Sequence, residues 1–140
     1  MGHHCQICER VIKDSKGVIA HHGYKRPNPG WQTSSCMGAR HLPYEKSRDL
    51  IPKAIQQIDG FIQNRANQLV LVKEGTVPVP GMGTYIRSEY RHMPNFIQPG
   101  EPFYQIRQRE HVSRLESDIK MAARDRDRLQ KRYDEWVLVV

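Results

Sequence analysis

From residue 49 to residue 69 the apolar residues Ile51, Ile55, Ile58, Ile62, Ala66 and Leu69 recur at steps of three and four. That spacing lines one face of an α-helix. Ser47 or Asp49 stands where an N-cap is needed, and Pro52 falls in the first turn, where its missing N–H does no harm. Gly60 weakens the middle of this helix by about 1 kcal/mol relative to alanine. The next segment, 70–100, changes texture. Leu69–Val72 and Thr84–Tyr90 read as short strands around the Pro/Gly-rich stretch Val77–Gly83, and Met93–Gly100 closes the region. Residues 101–140 then read as one long helix, with Pro102 as its first helical residue. Its seam is Val112, Leu115, Ile119, Ala122, Leu129, Tyr133 and Trp136, interrupted by Arg126. Thirty residues of helix span about 45 Å, and so narrow a stripe suits a helical hairpin or a coiled-coil-like helix, within the chain or in a homodimer. The run Arg124–Arg128 alternates in sign and reads as a solvated helix face.

Residues 1–48 follow neither period. They hold all three cysteines and five of the seven histidines, with many glycines and prolines. The whole chain has 140 residues, 38% of them hydrophobic and 26% charged. This is enough for one ordinary domain or two small ones, with a modest apolar core. No apolar run is long enough for a membrane helix, and the start of the chain lacks the apolar stretch of a secretory leader. Three cysteines cannot all pair, which argues against a disulfide scaffold. A cytoplasmic protein is the expectation, stabilised by a metal, a partner or helix pairing.

Charge sharpens the division. Residues 1–48 carry eight Lys/Arg against three acids, residues 49–100 five against four, and residues 101–140 nine against eight. Most of the net charge of +7 thus coincides with the cysteines. A local positive field favours nucleic acid or an acidic protein surface as partner.

Cys5 and Cys8 form a CxxC knuckle, a spacing at which two thiolates hold one tetrahedral ion. The same spacing serves thiol redox chemistry when it follows a strand and opens a helix. With the motif so near the start of the chain, no preceding strand is expected, and redox is disfavoured. Val11–Ala20 reads as a hairpin around Ser15-Lys16-Gly17 that returns the chain beside the knuckle at His21-His22. Cys36 and His41 follow. Cys5, Cys8, one histidine and Cys36 make a Cys₃His set for Zn²⁺, with His22 the first choice beside Gly23-Tyr24 and with His21 and His41 as alternatives. The fold class expected is α+β: a small zinc-ribbon or β-hairpin module over 1–48, then the helix 49–69, short strands and linker over 70–100, and the long helix 101–140.

Cys5-x-x-Cys8, His22-Gly23-Tyr24-Lys25-Arg26-Pro27, Gly30-Trp31-Gln32-Thr33, Ser35-Cys36-x-Gly38 and Pro43-Tyr44-Glu45 together resemble an N-terminal zinc-binding module of small phage, prophage and proteobacterial proteins. The resemblance covers residues 5–48. It implies an origin in a mobile element, hence action in a host cytoplasm, and its H-G-Y-x-R-P box supports His22 over His21. It implies no activity.

Two classes of function follow. In a binding module, Lys25, Arg26, Arg40, Lys46 and Arg48, interleaved with Tyr24, Trp31 and Tyr44, suit phosphate contacts and base stacking. The competing reading places those aromatics in a small core over the metal. The partner would be nucleic acid or a nucleic-acid-handling host complex. An anti-CRISPR-like inhibitor of a host defence complex, acting by protein binding, is the variant the resemblance suggests. Mimicry of nucleic acid by an acidic surface does not fit a basic chain. In an enzyme, a ββα-metal (HNH-like) nuclease, His21 would be the general base with Cys5, Cys8, Cys36 and His41 around a structural zinc. Ala20 occupies the position where such sites carry an acid, so no catalytic residue is assigned.

Overall fold

Val11, Ile12, Lys13 and Asp14 alternate between exposed and half-buried, and Lys16 and Gly17 beyond them both adopt positive φ, 54° and 84°. This is the geometry of a two-residue hairpin turn. The computed structural model, which describes residues 2–24, 35–81 and 95–139, builds on that hairpin a three-stranded antiparallel sheet. Lys25, Arg26, Trp31 and the strand expected over 84–90 lie outside the described residues. The sheet has the order β1 (Gly2–His4), β2 (Val11–Ser15), β3 (Val18–Ile19), with His3 opposite Ile12 and Asp14 opposite Ile19. The remaining elements are α1 (Ile51–Glu74), β4 (Val79–Pro80), β5 (Phe96–Ile97) and α2 (Tyr104–Asp134). The protein is α+β, with small antiparallel strands and two helices. Among the described residues, no helix is long and apolar enough to cross a membrane.

A strand therefore does precede the CxxC, contrary to the sequence expectation. It is antiparallel to its neighbour, and the chain after Cys5 forms a turn rather than a helix. The setting a redox CxxC uses is not built here.

α1 runs five residues further than its apolar spacing suggested, and Leu69–Val72 is helical, not a strand. A short Leu/Val run cannot be assigned by periodicity alone. Here Leu69 and Val72 continue the buried face from Ala66, and the helix stops at Gly75, whose φ is 74° and whose N–H donates to the Val72 carbonyl (3.1 Å). That left-handed residue just past the last turn is the usual glycine stop. α2 starts two residues later than Pro102, because Phe103 sits at φ 69° and breaks the helical path. It also ends early. Trp136–Val139 leaves the helix, and the Val139 N–H donates to the Glu45 carbonyl (3.0 Å).

The chain folds as two compact units, one of residues 1–59 with 125–140 and one of residues 60–124. In the first, Cys5, Ile7, Cys8, Ile19, Cys36, Leu50, Ile51, Ala54, Ile55 and Leu129 form a buried cluster, with Tyr24, Tyr44, Ile58 and Tyr133 packed on it. In the second, Val72, Val79, Ile97, Tyr104 and Leu115 are buried together, flanked by Leu69, Val77 and Val112. The α1 stripe and the α2 seam thus share a core in each unit. Arg126, which interrupts the seam, pairs with Asp59 at 2.5 Å.

Candidate metal centre

The hairpin and the two turns around it converge on one point. After β1 the chain folds into the knuckle, where the Cys5 N–H donates to the Arg10 carbonyl (3.0 Å) and the Ile7 N–H to the Cys5 sulfur (3.4 Å). Glu9 closes this turn at φ 65°. A second turn at Cys36–Arg40 is built alike, with the Ala39 N–H donating to the Cys36 carbonyl (3.1 Å) and Arg40 at φ 65°. The stretch after β3 is joined to the second turn, since the Cys36 N–H donates to the His22 carbonyl (2.8 Å).

The consequence is a cluster of Cys5, Cys8, His22 and Cys36 whose ligand atoms all lie within 4.8 Å of one another. The three cysteines are buried and His22 is half-buried. Such a group is close enough to hold a metal ion. Its edges can be tested against a tetrahedral shell. Bonds of about 2.3 Å to sulfur and about 2.05 Å to nitrogen give edges of about 3.8 Å between sulfurs and about 3.6 Å between sulfur and nitrogen. The Cys5 and Cys36 sulfurs are 3.8 Å apart, and the Cys8 sulfur lies 3.3 Å from Nε2 of His22. The sulfur pair is far outside disulfide bonding distance.

The histidine is oriented for the task. Its Nδ1 lies 2.9 Å from the Ala20 carbonyl, which can only accept a hydrogen bond. In the neutral ring Nδ1 therefore carries the proton, and Nε2 turns its lone pair to the sulfurs. The thiols perturb one another as a coupled set. Sulfur hydrogen bonds from Cys36 and then Cys5 hold the Cys8 thiol far below its ordinary range, and the contact with Cys5 pushes the Cys36 thiol up. The cluster thus favours negative charge at one sulfur, and full deprotonation of all three calls for a cation at the centre.

Room is tight around the sulfurs. A Cβ added at Gly38 would sit 2.2 Å from the Cys5 sulfur. Gly38→Ala is expected to displace that sulfur and weaken metal retention by at least tenfold. Competition with a chromogenic chelator against the wild type measures it, and equal retention would contradict the geometry.

The other candidates fall elsewhere. His21 is exposed, with Nε2 2.8 Å from the Ser35 hydroxyl, and His41 is exposed too. Arg40 is exposed, and Lys46 is exposed with Nζ 3.5 Å from the Val139 carbonyl. Arg48 is occupied within the fold: Nη1 donates to the Tyr133 carbonyl (2.9 Å), and the guanidinium lies 4.1 Å from the Tyr133 ring centre. Tyr24 and Tyr44 pack on the buried cluster.

Residues that periodicity passed over complete the centre. Gln6, 1% exposed, donates through Nε2 to the Leu42 carbonyl (2.8 Å) and to Asp49 (3.1 Å), and its Oε1 accepts the Leu50 N–H (3.0 Å). The knuckle thereby caps α1, alongside Ser47, whose hydroxyl oxygen accepts the Asp49 N–H (3.1 Å). From α2, Arg132 donates to the carbonyls of Cys5 (3.0 Å) and Gln6 (3.1 Å), and Arg128 to that of Ile7 (3.1 Å). Both arginines pair with Glu9, at 3.2 and 2.8 Å. The Trp136 indole N–H donates to the Tyr44 carbonyl (2.6 Å). Part of the mixed-charge run is thus turned to the knuckle, not to solvent. The available signal was the i,i+4 pair Arg128/Arg132 flanking Leu129. Comparisons with protein-family models, with curated proteins and with solved structures find no match.

Proposed function

We propose that this chain is a zinc-stabilised binding protein, with Zn²⁺ held by Cys5, Cys8, His22 and Cys36 as a structural ion. The convergence of three sulfurs and one correctly oriented imidazole nitrogen carries the reading. Four protein donors close a tetrahedral shell, which suits a structural ion, whereas a catalytic zinc keeps one position for water. Three thiolates and Zn²⁺ leave one net negative charge, and Arg128 and Arg132 with Glu9 add one positive charge beside it. The centre is then locally neutral, as a buried ion requires.

The partner proposed is nucleic acid or a nucleic-acid-handling host complex, engaged through the basic residues Lys25, Arg26, Arg40 and Lys46. Arg48, held against Tyr133, is set aside from that contact. An origin in a phage or mobile element, and action as an inhibitor of a host defence complex, rest on the resemblance of residues 5–48. Affinity purification from the native host, with and without nuclease treatment, separates nucleic acid from protein. If the partner is nucleic acid, four phosphate contacts make affinity fall about 10²-fold between 50 and 200 mM salt. The Lys25→Glu, Arg26→Glu double variant is expected to lose at least tenfold in affinity at the lower salt with zinc content unchanged. Equal affinity for wild type and variant at both salts would show that the basic face makes no contact.

A further inference from the structure

Residues 60–124 carry a concavity of their own. It has a volume of about 580 Å³ and is lined by Glu74 and Gly75 at the end of α1, by Glu101, and by Phe103, Tyr104 and Ile106 at the start of α2. That volume lies in the range of ligand pockets.

Its charge is unusual for its place. Glu74 is the last residue of α1, where the carbonyl ends of the helix already make the potential negative and a cation is the favoured occupant. The one basic residue of that turn, Lys73, is directed to Glu116 at 3.5 Å. Glu101 adds a second carboxylate, whose Oε1 accepts the Gln98 N–H (3.0 Å). Among the described residues, neither carboxylate forms an ion pair, and the nearby cations Lys73 and Arg107 pair with Glu116 and Glu110. In a chain of net charge +7, this is a negative hollow.

Its wall is apolar and laid bare. Phe103 is 71% exposed and Ile106 48%. Phe103 is held at φ 69°, a backbone state that a bulky residue seldom adopts. Two carboxylates and an exposed aromatic ring together select an organic cation. A bare divalent ion would need more ligands, and the described residues group three or more metal-type side chains only at the Cys/His cluster. A planar guanidinium can address two carboxylates at once while stacking on a ring, which a compact ammonium does less well. The open apolar wall offers further area to flanking polypeptide.

We infer that this cavity takes an arginine side chain presented by a partner protein, with Glu74 and Glu101 receiving the guanidinium and Phe103 covering its face. The inference stands independently of the metal centre.

The test is an amide NMR titration of the zinc-loaded full chain with the peptide acetyl-Gly-Arg-Gly-amide. Its counterpart carries citrulline, the neutral isostere, in place of arginine. Saturable shifts at Gly75, Gly100 and Ile106 are expected with arginine, weakened at least tenfold with citrulline. Glu74→Gln with Glu101→Gln, both at exposed positions, is expected to weaken the arginine peptide by a similar factor. Phe103→Gly suits the left-handed backbone and so keeps the fold, yet it should also weaken binding severalfold. No saturable shift, equal binding of the two peptides, or unchanged binding by the Gln double variant would overturn the assignment. Agmatine binding more tightly than the peptide would overturn the choice of a protein segment over a free organic cation.

Discussion

Cys5→Ser, Cys8→Ser and Cys36→Ser are each expected to abolish stoichiometric metal binding and to unfold the unit of residues 1–59 and 125–140. The size of the effect follows from the composition of its core. Three of the ten buried residues in its cluster are the cysteines themselves, so the metal replaces apolar packing that the sequence does not supply. Structural zinc contributes apparent binding free energies of about 10–16 kcal/mol in small zinc modules. The whole stability of an ordinary domain is about 5–15 kcal/mol. Loss of one ligand therefore outweighs what remains. Amide spectra should show collapse of dispersion for residues 2–24 and 35–59, and chelator should reproduce it in the wild type. A serine variant or a chelated wild type with native dispersion would mean that the cysteines are ordinary small core residues.

Arg132→Met is expected to cost about 3–5 kcal/mol, the range for removing one partner of a buried charged network. The Arg132 side chain is 13% exposed, reaches the Cys5 and Gln6 carbonyls and Glu9, and lies 3.6 Å from the Tyr44 ring centre. Methionine keeps the stem but strands two knuckle carbonyls and leaves Glu9 to Arg128 alone. Burial already depresses the Arg132 pKa, with Glu9 acting in the opposite direction, so its charge is held at a cost that its partners offset. Arg132→Lys should recover only part of the loss, because one ammonium cannot serve carbonyls and carboxylate in the fork geometry of guanidinium. Urea unfolding of the zinc-loaded protein measures both. A change below about 0.5 kcal/mol for Arg132→Met would show that the α2 end merely rests on the knuckle.

The parts legible in the sequence were those with a local signature. The CxxC, the Lys16-Gly17 turn and the isoleucine stripe each encode their geometry within a few residues, and the hairpin makes His22 the histidine that arrives beside Cys8. The helix ends were less legible. Leu69–Val72 fits a strand or a helix equally well on composition, and only Gly75 decides. Phe103 gives no local warning of a positive φ, so the sequence pattern places the start of α2 two residues too early. Long-range capping was out of reach for a different reason. Gln6 looks like a neutral spacer inside the CxxC, and its role depends on Leu42, Asp49 and Leu50, more than thirty residues away. Arg128 and Arg132 read as solvated charges until Glu9 and the knuckle carbonyls are brought to them. Charge patterns alone do not reveal which guanidinium is committed inside a fold. Arg48, assigned to the basic face and found against Tyr133, shows the same limit.

The most direct test of the zinc centre is X-ray absorption at the zinc edge, with metal quantified, on protein purified without chelator. The account predicts one zinc per chain, with three sulfurs at about 2.3 Å and one nitrogen at about 2.0–2.1 Å. A chain without stoichiometric metal, or a shell dominated by oxygen and nitrogen, would contradict it.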